Sequence, residues 1–269
     1  MIIKDIPLRE DDPSIRITTY LSSLGGPARD AILVIPGGGY GGVCADREGE
    51  PIALSYSCAG LNAFVLYYTV GEKAIFPRSL CDASLALSYI RLHAKEFNID
   101  PERIFVVGFS AGGHLAASLG TMWDLPEIYD ITGIPYASNR PNGMILGYPV
   151  ISGKRYASHG GSFIRLLGKN DPTDDELELY SIENHVDPKT AAPLFIFHTS
   201  NDPVVPVASP LLLALEYAKK SMNFELHVFP DGPHGLALAN KATSLGNSVQ
   251  EHPEVEQWIS LSLRWMRSL

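Results

Sequence analysis

One short segment, residues 108–112 with the sequence G-F-S-A-G, constrains the fold of this chain more than any other. A mostly apolar, β-branched run at 103–107 leads into it, and a helix-forming run at 113–119 leads out of it. A strand, a sharp turn and a helix in this order place the serine at the tip of a strained turn. Glycine on either side avoids a collision there because it has no Cβ. The flanking runs therefore favour a nucleophile elbow at Ser110 over a chance match in a glycine-rich chain.

Segments typical of strands and of helices alternate along most of the chain. Strands are predicted at 15–20, 31–35, 62–68, 103–109, 143–148, 194–198 and 224–229, and helices at 79–97, 111–119, 210–219 and 255–266. Short apolar strands that alternate with helices predict an α/β fold, with a mostly parallel sheet covered by helices on both faces. We expect the first strand to be antiparallel and near the edge. Ligands of such sheets bind beyond the carboxyl ends of the strands.

Two irregular segments interrupt this alternation within a predicted single domain that spans residues 1–269. They lie at about 122–141, which is rich in proline and aromatic residues, and at about 151–193, which contains a flexible S-H-G-G-S stretch and an acidic run. We interpret both as small cap-like insertions on the active side of the sheet. Ordinary surface loops are the alternative.

The sequence supplies the partners that a nucleophilic serine needs. A serine hydroxyl is a weak nucleophile, so a base must take its proton and a carboxylate must orient that base. His234 fits the base, because its G-P-H-G loop directly follows the last predicted strand. Asp202 fits the carboxylate, because it follows the 194–198 strand, although N-D-P is also ordinary turn chemistry. Asp231 and Asp187 are rivals; the first is too close to His234 in sequence, and the second precedes its strand.

Acyl transfer also needs N–H donors for the negative charge that forms on the carbonyl oxygen. Ala111 is expected to supply one, because it follows the nucleophile at the start of a helix. Other donors are expected from the stretch P-G-G-G-Y-G-G at 36–42, which follows a predicted strand. A phosphate-binding loop is the alternative, but no Lys-Ser or Lys-Thr pair follows and the spacing is not G-x-G-x-x-G. We interpret Arg47, Glu48 and Glu50, which follow this loop, as members of ion pairs, with a carboxylate near the site as the alternative, and His114 as structural.

Composition and charge limit the binding partners and the cellular location that can be expected for this chain. With 45% hydrophobic and 19% charged residues the chain has an ordinary globular composition. A formal charge of -9 argues against nucleic acid or an anionic membrane as a partner. The three cysteines (Cys44, Cys58 and Cys81) lack metal-ligand spacing, so we predict free thiols, no metal and no cofactor. No signal peptide or membrane-spanning run is visible, which favours a cytoplasmic location.

Taken together, the motifs resemble the α/β-hydrolase superfamily, and more closely its esterase/lipase branch related to acetyl-xylan esterases and hormone-sensitive lipase. The resemblance rests on P-G-G-G-Y at 36–40, G-F-S-A-G-G-H-L-A at 108–116, N-D-P-V-V-P at 201–206 and G-P-H-G at 232–235. It implies an α/β-hydrolase fold with Ser110 as nucleophile, His234 as base and Asp202 as its orienting carboxylate. It also implies that the backbone N–H groups of Gly38, Gly39 and Ala111 form the oxyanion hole.

One residue departs from the pattern of that branch. The branch usually has H-G-G-G, and here Pro36 replaces the histidine. The donors are backbone groups, so we expect the oxyanion hole to survive. A different brace must then hold the loop, and proline itself contributes stiffness.

The resemblance implies a serine hydrolase that cleaves carboxylic esters through an acyl-enzyme intermediate. It suggests small acyl groups, acetyl above all, on a carbohydrate or a similar small molecule. The candidate substrate contacts are Tyr40, Trp123 and Tyr148, which lie on loops or strand ends and have aromatic faces that suit sugars, and His159 in the second predicted insertion. An amide or peptide hydrolase on the same fold and a non-catalytic ligand-binding protein remain alternatives. The sequence leaves open whether the chain is a monomer or a homo-oligomer.

Overall fold

Six parallel and two antiparallel strands form one central sheet in the computed structural model, which describes residues 1–269. In chain order the strands are β1 (Asp5–Pro7), β2 (Arg16–Tyr20), β3 (Arg29–Ile35), β4 (Asn62–Tyr67), β5 (Ile99–Phe109), β6 (Met144–Gly147), β7 (Leu194–Thr199) and β8 (Phe224–Phe229). Across the sheet the order is β1-β2-β4-β3-β5-β6-β7-β8. From β4 to β8 every neighbouring pair is parallel, so the carboxyl ends of six strands meet at one edge.

Eleven helices and three short 3₁₀ turns connect and cover the strands. The helices are α1 (Ala45–Glu48), α2 (Glu50–Cys58), α3 (Arg78–Leu92), α4 (Ala94–Phe97), α5 (Ala111–Thr121), α6 (Pro126–Thr132), α7 (Gly160–Leu167), α8 (Asp174–Leu179), α9 (Ala208–Lys219), α10 (Pro253–Glu256) and α11 (Trp258–Ser268). The 3₁₀ turns are Gly71–Lys73, Ile182–His185 and Ser248–Gln250. None of the helices combines the length and the apolar character needed to cross a membrane.

Successive residues of the central strands point into two separate hydrophobic cores, one on each face of the sheet. In β3, Leu33 belongs to the core covered by α3, α5 and α9, and Val34 belongs to the core covered by α2 and α11. Both side chains are fully buried. This alternation is the period of two residues that a strand imposes, and burial on both faces explains why the strands are almost continuously apolar.

The structure confirms the predicted α/β fold, but the prediction did not include α1 and α2 between β3 and β4, or α6, α7 and α8 within the two irregular segments. The other differences are smaller. β1 was missed, because three residues are too short for a periodic pattern. The predicted helix at 79–97 is two helices that meet at His93, and the predicted helix at 255–266 is part of two helices that meet at Gln257.

The irregular segment at 122–141 lies at the amino ends of the strands, away from Ser110. It follows α5, which starts at the carboxyl edge and runs back along the sheet. The guanidinium of Arg91 donates hydrogen bonds to its carbonyl groups, and the N–H of Asn142, just beyond it, donates to the Ile104 carbonyl. The prediction that this segment caps the active side is therefore wrong. The segment at 151–193 follows β6 at the carboxyl edge and contains α7 and α8; its role as a cap stays a prediction.

Candidate active site

The turn between β5 and α5 holds Ser110 in a strained conformation at the carboxyl edge of the sheet. Its φ and ψ are 52° and -120°, and only 7% of the residue is exposed. A Cβ on Gly108 would overlap the backbone of Gly112, and a Cβ on Gly112 would overlap the carbonyl oxygens of Ile35 and Pro36. Both glycines are therefore required for α5 to start this close to β3.

Three side chains predicted from separate parts of the sequence form one continuous hydrogen-bonded chain. His234 Nε2 lies 2.9 Å from Ser110 Oγ, and His234 Nδ1 lies 2.6 Å from Asp202 Oδ2. The serine directly follows β5, the aspartate follows β7, and the histidine follows β8. Parallel pairing brings these strand ends to the same edge, and this is why residues up to 124 positions apart in the chain meet there.

Backbone donors support the carboxylate that faces the histidine. Asp202 Oδ1 accepts hydrogen bonds from the N–H groups of Val204 at 2.8 Å and Val205 at 3.0 Å. Burial opposes ionisation, but the hydrogen bond from His234, its charge and these two N–H groups outweigh it, so the pKa of Asp202 lies below its usual value. The group is thus ionised and oriented to stabilise an imidazolium at His234.

The loop at residues 36–42, called here the oxyanion loop, has three backbone N–H groups without an acceptor in the protein, those of Gly38, Gly39 and Tyr40. The first two are the predicted oxyanion donors, and their φ values are 128° and 62°. Ala111 is the first residue of α5, where a helix N–H has no intrahelical acceptor and the helix dipole favours negative charge. A Cβ on Gly37 would lie 3.0 Å from Ser110 Cβ, so the loop is packed directly against the nucleophile candidate. These donors fit a developing oxyanion.

A buried carboxylate, that of Glu48, also lies in this site, although the sequence favours an ion pair at this position. Glu48 Oε2 accepts the Gly37 N–H at 2.8 Å, and Glu48 Oε1 accepts the Tyr148 hydroxyl at 2.9 Å. Burial raises the pKa of Glu48, against the opposing charge of Arg47 and these hydrogen bonds. Its position just after the oxyanion loop is the only sequence signal that could have indicated this role, because its partners come from distant segments.

The structure does not support direct substrate contact by three of the four predicted residues. The side chains of Tyr40 and Tyr148 are almost fully buried, and their hydroxyls bond to His114 and Glu48. Trp123 is buried at the amino ends of the strands, where its Nε1 donates to the Thr190 carbonyl at 2.9 Å. These three predictions are wrong, because aromatic residues near strand ends can turn into the core.

His159, the fourth candidate, lies beside the oxyanion loop. Its Cε1 would be 3.8 Å from a Cβ on Gly39, and its Nδ1 lies 2.8 Å from Ser162 Oγ. Burial, together with the nearby charges of His234 and Arg165, lowers the pKa of His159. Arg165 of α7 also donates a hydrogen bond to the Gly39 carbonyl at 3.2 Å. The segment at 151–193 therefore reaches the candidate site through these side chains.

Comparison with known structures and families agrees with this fold. The acetyl ester-xyloside bifunctional hydrolase from Caldicellulosiruptor lactoaceticus is 36% identical with a TM-score of 0.82, over 98% of this chain and 96% of that one. MGS-M1, an α/β-hydrolase enzyme from a Medee basin deep-sea metagenome library, is also 36% identical, with a TM-score of 0.80 over 100% and 97% of the two chains. The chain is thus an α/β-hydrolase.

A profile of the prolyl oligopeptidase family matches residues 86–259, more than half of the chain, so the chain belongs to that family. A second profile, designated BD-FAE, matches residues 19–146.

Curated relatives include an acetylxylan esterase and a hormone-sensitive lipase, in agreement with the predicted esterase/lipase branch. Endo-1,4-beta-xylanase B of Butyrivibrio fibrisolvens is 44% identical over 83% of this chain and 35% of its own length. Acetylxylan esterase of Xylanibacter ruminicola is 32% identical over 96% of this chain and 49% of its own length. The chain therefore spans about a third to a half of these two relatives. The hormone-sensitive lipase of Mus musculus also matches, with 27% identity over 54% of this chain.

Proposed function

We propose that this protein is a serine hydrolase that cleaves carboxylic esters through an acyl-enzyme intermediate. The observation that carries the proposal is the hydrogen-bonded chain from Ser110 through His234 to Asp202, next to backbone N–H groups without a protein acceptor. Nucleophile, base, orienting carboxylate and oxyanion donors are the complete set that acyl transfer requires. A non-catalytic ligand-binding protein would have no need to retain all four.

In the proposed mechanism each of these groups has one role in acyl transfer. Ser110 Oγ attacks the ester carbonyl while His234 Nε2 takes its proton, and Asp202 stabilises the resulting imidazolium. The N–H groups of Gly38, Gly39 and Ala111 bind the oxyanion of the tetrahedral intermediate. His234 then gives its proton to the leaving alcohol, and later activates the water that releases the acid.

The substrate class that we propose is a small acyl ester, above all an acetyl ester, of a carbohydrate. Two relatives support it by name, the acetylxylan esterase and the acetyl ester-xyloside bifunctional hydrolase. Within the site, His159 offers a polar group beside the oxyanion loop, where the alcohol part of a sugar ester has hydroxyls to bind. The proposal includes the cytoplasmic location predicted above, with Cys44, Cys58 and Cys81 as free thiols.

Amide or peptide hydrolysis is the second candidate function. The match to the prolyl oligopeptidase family favours it, and the same set of groups can cleave an ester or an amide. What differs is the leaving group, so direct comparison of substrates separates the two.

The decisive experiment combines a substrate panel with removal of the nucleophile. We expect the wild-type protein to hydrolyse p-nitrophenyl acetate and acetylated xylo-oligosaccharides faster than p-nitrophenyl octanoate, and faster than peptide p-nitroanilides. Ser110→Ala should lower kcat on the order of a million-fold and abolish labelling by a fluorophosphonate. Ser23→Ala is the control, because Ser23 is exposed and far from the site in sequence. Near-wild-type ester turnover by Ser110→Ala would refute the assignment, and preference for the anilides would favour the peptidase alternative.

A further inference from the structure

Glu48 lies at the centre of a buried hydrogen-bond network that joins three loops of the candidate site. The residue is only 1% exposed. One carboxylate oxygen binds the oxyanion loop at Gly37, and the other binds Tyr148, which follows β6. The Tyr148 hydroxyl in turn accepts the N–H of Ala237 at 3.0 Å, three residues after His234. The network thus links the loop of the oxyanion donors to the loop of the base.

The contact with Gly37 decides which N–H groups of the oxyanion loop remain available. Gly37 is buried, and a buried N–H needs an acceptor. Glu48 supplies that acceptor, while the next two N–H groups, those of Gly38 and Gly39, have none in the protein. The surroundings are tight, since a Cβ on Gly37 would be 2.8 Å from Glu48 Oε2 and 2.8 Å from the Phe109 carbonyl oxygen. The carboxylate therefore fixes the orientation of this end of the loop.

The other contacts show that the network holds strained backbone in place. Tyr148 and Ala237 both have positive φ values, 37° and 51°, which residues other than glycine rarely adopt. The Ala237 carbonyl accepts a further hydrogen bond from Trp258 Nε1 at 2.8 Å. The ring of Tyr148 packs edge-on against that of His234, with centroids 5.0 Å apart. Such conformations persist only where the surroundings determine them fully.

We propose that Glu48 is a positioning residue for the ester hydrolysis proposed above: it holds the oxyanion loop so that the N–H groups of Gly38 and Gly39 face the carbonyl oxygen of the substrate. Arg47, whose Nε lies 3.9 Å from Glu48 Oε1, offsets the buried charge. Glu48 does not touch the substrate and acts through Gly37 and Tyr148. Its removal should therefore weaken binding of the oxyanion more than binding of the ground-state ester.

A pair of substrates isolates this effect. Sulfur is a weak hydrogen-bond acceptor, so the ratio of kcat/KM for phenyl acetate to that for its thionoester, O-phenyl thionoacetate, reports how strongly the N–H groups bind the oxyanion. Glu48→Leu should lower kcat/KM for the ester by about 10²-fold, the usual cost of one lost oxyanion donor, with little change in KM. The ratio of the two kcat/KM values should fall as well, because hydrolysis of the thionoester depends less on these N–H donors. A loss of stability alone lowers both rates alike and leaves the ratio unchanged.

Glu48→Gln is the conservative variant, and it keeps the test decisive if Glu48→Leu does not fold. A glutamine has a single carbonyl oxygen, so it satisfies either the Gly37 N–H or the Tyr148 hydroxyl but not both; we expect a smaller fall in the same ratio. Glu50→Leu is the matched control, since Glu50 is exposed and two residues away, and it should keep the wild-type ratio. A wild-type ratio in Glu48→Leu, or in Glu48→Gln where the leucine variant is unfolded, would overturn the inference while ester hydrolysis stands. Absence of ester hydrolysis by the wild-type protein would instead overturn the proposed function.

Discussion

Ser162 determines which nitrogen of His159 carries the proton. Ser162 is buried, and the only hydrogen-bond partner of its hydroxyl is His159 Nδ1. If Nδ1 donated to that hydroxyl, the hydroxyl proton would be left buried without an acceptor, which is costly. The hydroxyl therefore donates, and the proton of the neutral ring lies on Nε2. Since Nε2 has no protein partner, it is a free donor next to the oxyanion loop.

From this tautomer we predict that the enzyme prefers esters whose alcohol part has further hydroxyl groups, as a sugar does. His159→Phe should lower kcat/KM for an acetylated xylo-oligosaccharide about fivefold, because one hydrogen bond contributes about 1 kcal/mol. The activity on p-nitrophenyl acetate should change less than about twofold, since that alcohol offers no hydroxyl to bind. Steady-state kinetics on the two substrates measures both effects. An equal loss on both would mean that His159 supports the site in general and does not bind the sugar.

The residues of the candidate site differ in how far sequence alone could predict them. The positions of Ser110, Asp202 and His234 follow from their place directly after parallel strands, because sheet topology brings strand ends together. Tyr148 also follows a strand, but its positive φ goes with a side chain turned into the core, and no pattern in the sequence indicates that angle. For Glu48 the sequence favours an ion pair over a role at the site, because a hydrogen bond between residues 100 positions apart leaves no local signal.

At the level of elements, the approach of α5 to β3 depends on the absence of a side chain. Gly112 lies in the first turn of α5, and a Cβ there would overlap the carbonyl oxygens of Ile35 and Pro36. These carbonyls belong to the end of β3 and the start of the oxyanion loop. The same contact therefore sets both the packing of the helix and the distance between that loop and Ser110.

Gly112→Ala should destabilise the protein by about 1–3 kcal/mol, the usual cost of overpacking. Alanine favours a helix by up to about 1 kcal/mol over glycine, so a helix with room for the methyl group would instead be stabilised. Urea unfolding of both proteins measures whether Gly112→Ala lowers or raises the free energy of unfolding. Gly160→Ala at the start of α7 is the matched control, because a Cβ there meets nothing within 4 Å, and it should leave the stability unchanged or slightly higher. If Gly112→Ala were as stable as Gly160→Ala, the proposed close contact would be incorrect.

The position of the segment at 122–141 was predicted incorrectly, although the order of the predicted elements indicates it. In a parallel sheet, loops after strands lie at the carboxyl edge and loops after helices lie at the amino edge. This segment follows α5, so its place was implied by the predicted helix at 111–119. Its composition, rich in proline and aromatic residues, is typical of a loop, but composition carries no information about which edge of the sheet a loop occupies.

For the molecule as a whole, a neutral histidine in the core makes the stability depend on pH. His114 of α5 is 1% exposed; its Nε2 donates to the Tyr180 carbonyl at 2.9 Å, so its Nδ1 accepts the Tyr40 hydroxyl. Burial lowers the pKa of His114 from 6.5 to about 4, against the hydrogen bond to Tyr180 and with a small contribution from His185. The unfolded chain takes up this proton below about pH 6.5, while the folded protein does so only near pH 4. Stability is therefore full above pH 6.5 and is lost as the pH falls towards 4, by about 3 kcal/mol in total.

Replacing this histidine by a residue that does not titrate should flatten that dependence. We expect the free energy of unfolding of the wild-type protein to fall between pH 6 and pH 5 by about 1 kcal/mol more than that of His114→Gln. The substitution also removes packing against Phe163 and Tyr40, so the variant is less stable at every pH, and the slope is the quantity to compare. Urea unfolding at pH 7, 6 and 5 gives both slopes. The other seven histidines are common to both proteins, so their contributions cancel. Parallel curves for the two proteins would show that His114 is protonated in the folded state as readily as in the unfolded chain, which its burial and the donation from Tyr40 argue against.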